Sequence, residues 1–160
     1  MAARVATRKP LWAKLSPAVP DIAQVARAAE AAGADGLSLV NTIRGLKLDA
    51  RTLRPVLARQ HGGLSGPALK PIALAAVATC YRATELPIVG MGGVQTGRDA
   101  LELIAVGARH VALGTVLFAD PDAPARVRAE MDDAAAELGW SSYEDAYATA
   151  HEDALSMRTT

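Results

Sequence analysis

Pro87-Ile88-Val89-Gly90-Met91-Gly92-Gly93, followed after one helical segment by His110-Val111-Ala112-Leu113-Gly114-Thr115, decides the architecture. Each is a short apolar run, rich in β-branched residues, that ends in glycine. That is the pattern of a buried parallel strand whose C-terminal tip meets something closely. Two such strands in succession suggest a phosphate cradle. In a β/α barrel the loops after the last two strands form the usual phosphate site, because bare backbone N–H groups approach the anion there. A phosphorylated ligand is therefore expected at the two glycine tips.

Strands and helices alternate on either side of this pair. Leu11-Trp12-Ala13-Lys14-Leu15 reads as a strand that stops at Ser16-Pro17, and Asp21 is placed to cap a helix through Ile22, Val25, Ala26 and Ala29 that ends at Gly33. Gly36-Leu37-Ser38-Leu39-Val40 is the second strand, ending at Asn41-Thr42. From there to Gly66 a polar stretch breaks the rhythm, and a long loop lying over the site is expected. Residues 71–84 read as a helix with Ile72, Ala73, Ala76, Val77 and Cys80 on its apolar stripe. Residues 99–106 form the next helix, opened by Thr96 or Gly97 and closed by Gly107. Asp122 and Pro124 start a helix reaching about Leu138, and a further helical segment is expected from Tyr143. Four βα units with parallel-type strands make an α/β fold, half of an eight-stranded TIM barrel, with a small doubly wound sheet as runner-up. A dinucleotide-binding unit is disfavoured, because Gly90, Gly92 and Gly93 do not give the G-x-G-x-x-G spacing and no acidic residue ends the next strand.

Composition limits what surrounds the cradle. The 160 residues, 51% of them hydrophobic, suffice for one globular domain with a proper core. A complete barrel takes roughly 250 residues. Half of one, a single domain over residues 1–160, is expected. Seventeen basic and seventeen acidic residues cancel, so nucleic acid is not an expected partner. Arg4, Arg8 and Lys9 form a short basic leader without the apolar core of a secretory signal or the serine-rich length of a transit peptide. No apolar run approaches the length of a membrane span, and the one cysteine, Cys80, excludes an internal disulfide and a cysteine-built zinc site. The cytoplasm is the expected compartment. Cys80 reads as a small core hydrophobe on a helix face, not a nucleophile, and His110, at a strand start, as structural.

Lys14-Leu15-Ser16-Pro17, Gly33-Ala34-Asp35-Gly36, Asn41-Thr42, Gly62-Gly63-Leu64-Ser65-Gly66-Pro67, Lys70-Pro71, Gly90-Met91-Gly92-Gly93 and Gly114-Thr115 together resemble the C-terminal half of dihydroorotate dehydrogenase. The match looks closest to the catalytic subunit of the soluble class 1B enzymes and runs from about Leu11 to His151. The resemblance implies an FMN cofactor. It implies that Lys14 contacts the flavin ring, where a positive charge stabilises the reduced, anionic isoalloxazine, and that Val40 lies against the ring as an apolar wall. Asn41 and Thr42 resemble the pair that hydrogen-bonds the pyrimidine, for which an amide with both donors and acceptors suits alternating carbonyl and N–H groups. A strand-end turn is the alternative reading of that pair. Gly66 resembles a flavin contact in the long loop. Gly92, Gly93, Gly114 and Thr115 resemble the backbone cradle for the FMN phosphate, with the Thr115 hydroxyl as an added donor. Arg44 and Lys47 read as solvated charges in preference to orotate contacts.

In the family reaction a base takes a proton from one carbon of dihydroorotate while hydride passes from its neighbour to flavin N5, giving orotate for pyrimidine biosynthesis. Electrons then leave through an iron–sulfur, FAD-containing partner subunit to NAD. Family members are about twice this length, so the resemblance implies a single C-terminal half-barrel with the N-terminal half absent, and that first half carries the cysteine base. Cys80, inside a helix, cannot replace it. No catalytic residue is therefore assigned in this chain, and it is expected to be inactive alone. Free strand edges predict self-association or pairing with a complementary N-terminal half. The alternative reading is a non-catalytic FMN- or phosphate-binding half-barrel or assembly module, from a split gene or a remnant. Another flavin-dependent barrel, one reducing uridine in RNA, is disfavoured by the neutral charge and the Asn41-Thr42 pair.

Overall fold

The structure is a computed structural model and describes residues 2–151. Along them run the strands β1 (Trp12–Leu15), β2 (Gly36–Leu39), β3 (Ile43–Leu46), β4 (His61–Leu64), β5 (Ile88–Met91) and β6 (His110–Ala112). The α-helices are α1 (Ala2–Ala6), α2 (Ile22–Ala31), α3 (Lys70–Tyr81), α4 (Gly97–Ala105) and α5 (Ala123–Glu137). Strands β1, β2, β5 and β6 form one parallel sheet in that spatial order. Helices α2, α3 and α4 make the crossovers and α5 follows β6. This is the expected succession of four βα units. The sheet is open, with β1 and β6 at its edges, as in half of a barrel.

Period-two alternation divides the sheet into two faces. Leu37, Leu39, Ile88 and Gly90 are buried against the helices, together with Ala73, Val77, Leu103 and Ala108. The opposite face carries Lys14, Ser38, Val89 and His110 in one ladder row, each half-buried or exposed. The side chains that decide the fold therefore lie on one face only. Local chemistry starts the helices where the sequence indicates. The Asp21 carboxylate accepts from the Gln24 amide at 3.1 Å, and Thr96 and Asp99 form a reciprocal capping box at the start of α4. Cys80 is fully buried in α3, and burial, aided by the Asp21 charge, pushes its thiol pKa up to about 11. It is a core hydrophobe. His110 is exposed at the start of β6.

The stretch expected to be a long loop is instead an antiparallel hairpin. Ile43 pairs with Leu64, Arg44 with Gly63, Gly45 with Gly62 and Leu46 with His61, and a bridge between Leu48 and Pro55 extends the arm. Three glycines among eight strand residues hide the alternation that would have announced it. One of them has a steric reason, since a Cβ on Gly63 would collide with the Thr42 side chain. Smaller differences concern the ends. The basic leader contains α1, held by Arg4, which pairs with the Asp35 carboxylate and donates from Nε to the Gly33 carbonyl at 2.9 Å. Strand β2 stops at Leu39, one residue before Val40, and α3 ends at Tyr81, short of Thr84. The segment from Tyr143 is a pair of 3-10 turns, Tyr143–Ala146 and Thr149–His151.

Candidate functional site

The parallel register brings the C-terminal tips of four strands to one edge of the sheet. Lys14 lies beside Ser38, Leu39 beside Gly90, and Met91 beside Ala112. The Val40 amide donates to the Met91 carbonyl and the Asn41 amide to the Leu15 carbonyl, both at 2.9 Å, so the chain beyond β2 stays tied to its neighbours. Around these tips lies a cavity of about 550 Å³. Its wall includes Lys14, Val40, Asn41, Thr42, Gly66, Gly92, Gly93, Gly114 and Thr115, every residue that the sequence singles out for cofactor or substrate. The size falls within the usual range for sites that enclose a small organic ligand.

One side of the cavity is bare backbone. The amides of Gly92, Gly93, Gly114 and Thr115 donate no hydrogen bond to another backbone carbonyl among the described residues. Unspent N–H groups at a solvent-accessible turn are the elements of an anion site. Gly93 has φ +82° and packs so tightly on α3 that a Cβ there would stand 2.7 Å from the Lys70 nitrogen. Gly114 differs, because a Cβ there would meet nothing within 4 Å and would project into open space. Much of the remaining wall is apolar, with Val40, Leu69 and Val94 buried and Met91 and Leu113 beside them, while Asn41, Thr42, Ser65 and Gln95 add uncharged polar groups. Lys14 is the one charged residue on the wall, and no carboxylate, imidazole or thiol lines it. The electrostatic bias therefore favours an anion.

Behind the two glycine tips lies a charged scaffold. Lys70 Nζ bonds Asp99 Oδ1 at 2.6 Å and Glu102 Oε2 at 2.9 Å, and these carboxylates hold its pKa above the ordinary lysine value. Burial pushes the Asp99 carboxyl up, but Lys70 and the amides of Gln95 and Thr96 outweigh it and keep the group below the ordinary aspartate value. Arg126 of α5 forms a second node, paired with Asp120 at 2.8 Å and with Glu130 at 2.6 Å. Arg44, on the hairpin, is exposed and lies 3.2 Å from His61 Nδ1, away from the cavity wall. Lys47 is exposed as well.

The wall also holds residues that sequence reasoning left out, among them Ser65, Pro67, Met91, Gln95 and Val116. Met91 and Ser65 stand inside motifs already quoted. Gln95 and Val116 each follow a glycine tip by two residues, so a reading that extended each tip by one turn would have reached them.

Comparison with known proteins gives this arrangement a lineage. The dihydroorotate dehydrogenase family model matches residues 1–134. A protein of Desulforudis audaxviator named dihydroorotate dehydrogenase B (NAD(+)), catalytic subunit, is 48% identical over 145 residues, which are 91% of this chain and 47% of that protein. One of the same name from Geobacter sulfurreducens is 50% identical, over 86% of this chain and 45% of its own length. A Solibacter usitatus protein, provisionally named dihydroorotate dehydrogenase A (fumarate), is 54% identical, over 81% of this chain and 42% of its own. The crystal structure of DHODH in complex with ferulenol from Eimeria tenella superposes with a TM-score of 0.74 at 30% identity, covering 91% of this chain and 39% of that one. The chain thus spans about half the length of the curated relatives that it matches. With the family model covering most of the sequence and relatives near half identity along it, the chain belongs to the dihydroorotate dehydrogenase family.

Proposed function

We propose that this chain forms the phosphate-binding half of an FMN site and, in the full-length protein, one wall of the pocket where dihydroorotate is oxidised to orotate in pyrimidine biosynthesis. The observation that carries this reading is one cavity lined by four residues whose backbone amides are unspent, by a single lysine and by no carboxylate. The donor set fits a flavin mononucleotide, with bare amides for a dianion and an apolar wall for a flat ring system. FMN, when bound, accepts the electrons that leave the substrate.

The chain's own residues do the rest. Gly92, Gly93, Gly114 and Thr115 hold the phosphate through their N–H groups, with the Thr115 hydroxyl as a further donor. Lys14 sets a positive charge at the opposite rim, where negative charge on the ring is favoured. Val40 and its apolar neighbours exclude water from the ring face. Gly66, with nothing near its missing Cβ, admits the ring edge to the backbone. Asn41 and Thr42 orient the pyrimidine, and the Thr42 side chain is steadied against Gly63. No carboxylate, imidazole or thiol lines the wall. With Lys14 assigned to the flavin, the base that takes the substrate's proton is placed outside the described residues, and the chain alone is expected to be inactive.

The open edges of the sheet support pairing with a complementary half or a second copy. Relatives named as NAD(+) catalytic subunits support a partner subunit with NAD as final acceptor. An iron–sulfur, FAD-containing identity for that partner and the cytoplasm as compartment belong to the same proposal and rest on the family resemblance. Among the described residues no helix is long and apolar enough to cross a membrane. Anaerobic addition of dihydroorotate to the flavin-loaded full-length protein tests the reading, and loss of the visible flavin absorbance is expected. Reoxidation by fumarate alone would instead assign the fumarate-linked class. A flavin-loaded protein that dihydroorotate leaves unchanged would overturn the dehydrogenase reading and leave a non-catalytic FMN-binding module.

A further inference from the structure

The two glycine tips belong to separate loops, and one side chain on α5 bonds to both. Arg126 Nη1 donates to the Gln95 carbonyl at 3.2 Å, in the loop that begins with Gly92 and Gly93. Its Nε donates to Asp120 Oδ2 at 2.8 Å, at the end of the loop that begins with Gly114 and Thr115. Asp120 is itself seated on that loop, because its amide donates to the Val116 carbonyl at 2.9 Å. Glu130 completes the clamp. Its Oε1 accepts from Arg126 Nη1 at 2.6 Å and its Oε2 from the Gly97 amide at 2.8 Å, at the head of α4. Arg126 does not line the cavity, but Gln95 and Val116 do.

We propose that Arg126, braced by Glu130, is a positioning residue that sets the separation of the two phosphate-binding loops and so determines how well they close on a phosphate. The inference rests on the FMN reading above. The chemistry suits the role. A planar guanidinium presents several donors in a fixed fork, so it can bind one loop's carbonyl and the other loop's carboxylate at once, which a lysine ammonium on a flexible stem does poorly. Isolated ion pairs at this level of exposure contribute little to stability, so the value of the cluster lies in the geometry it imposes.

The test uses the full-length protein and its Arg126→Met, Arg126→Lys and Glu130→Gln variants, titrated with FMN and with riboflavin as the phosphate-free probe. Arg126→Met is expected to weaken FMN by about tenfold, the scale of one hydrogen bond to a charged group, while riboflavin affinity stays within error. Arg126→Lys should recover only part of the loss. Amide hydrogen exchange should quicken together over 92–97 and 114–120, with the rest of the sheet unchanged. Equal weakening of FMN and riboflavin, or an FMN affinity untouched by Arg126→Met, overturns the positioning role. If the unaltered protein binds FMN no more tightly than riboflavin, the phosphate reading itself falls. Loop exchange that stays unchanged in Arg126→Met then rejects the clamp as well.

Discussion

Two glycines of the cradle look alike in sequence and are opposites in structure. Gly93 sits at φ +82° against the Lys70 backbone, so Gly93→Ala should cost about 1–3 kcal/mol in stability, read as a lower denaturation midpoint. Gly114 faces open space at the cavity wall. A methyl group at Gly114 meets no atom, so Gly114→Ala should cost less stability than Gly93→Ala, yet weaken FMN by placing that methyl group at the cavity wall. Asp99 gives a second residue-scale prediction. Its folded-state pKa is lowered from 3.8, so its contribution to stability is present above that value and fades as pH falls through the lower folded-state pKa. Lys70 is the mirror image, with a pKa raised from 10.5, contributing fully below that value and losing its contribution as pH rises through the higher folded-state pKa. Denaturation midpoints against pH should therefore fall at both ends, and Asp99→Asn should flatten part of the acid limb. At this scale much of the cavity lining was legible. A glycine ending an apolar run marks a strand tip, and all nine singled-out residues line one cavity. The Lys70 and Arg126 networks were not, because their partners lie 29 to 32 positions away or span a loop and a helix, and charge spacing encodes neither.

At the scale of elements, legibility followed the strength of the local signal. Helix α4 begins where Thr96 and Asp99 form their box, and Thr96→Ala should cost about 1 kcal/mol, measured by chemical denaturation. Gly97, the first residue of that helix, lets it lie directly on the α5 backbone beside Glu130 and Met131. The β3–β4 hairpin was missed because pairing across it depends on residues 15 or more positions apart and on glycines with no strand preference. Its side chains explain how it behaves. Leu46, Leu53, Val56 and Leu64 are all about half exposed or more, so the arm buries little and is held mainly by its own ladder. Native-state hydrogen exchange should find the amides of β3 and β4 opening far more readily than those of β2 and β5. Comparable protection in both sheets would show that the arm packs more firmly than its exposure indicates. The arm joins Thr42 to Ser65, both on the cavity wall, so its opening should be slowed when the cavity is filled.

The whole molecule is a twisted parallel sheet with helices on one face and an open row of Lys14, Ser38, Val89 and His110 on the other. A large apolar side chain stands near each free edge, Trp12 at 44% exposure on β1 and Phe118 at 92% just beyond β6. A parallel sheet is stable when both faces are covered, so the chain in isolation should associate with itself, and sedimentation should show a mass that rises with concentration. Phe118→Ser should reduce that association without unfolding the chain. The architecture was legible because strand, helix and turn signals agreed along the sequence. What completes the open face was not, since nothing in these strands specifies their neighbours across a free edge. The central claim is narrower, that the tips of β5 and β6 bind a phosphate. Titrating the folded chain with FMN and with riboflavin, followed by quenching of flavin fluorescence, tests it most directly. The account predicts that FMN binds more tightly by about tenfold or more, the scale of one or more charge-assisted hydrogen bonds. Equal affinity for the two flavins would contradict it.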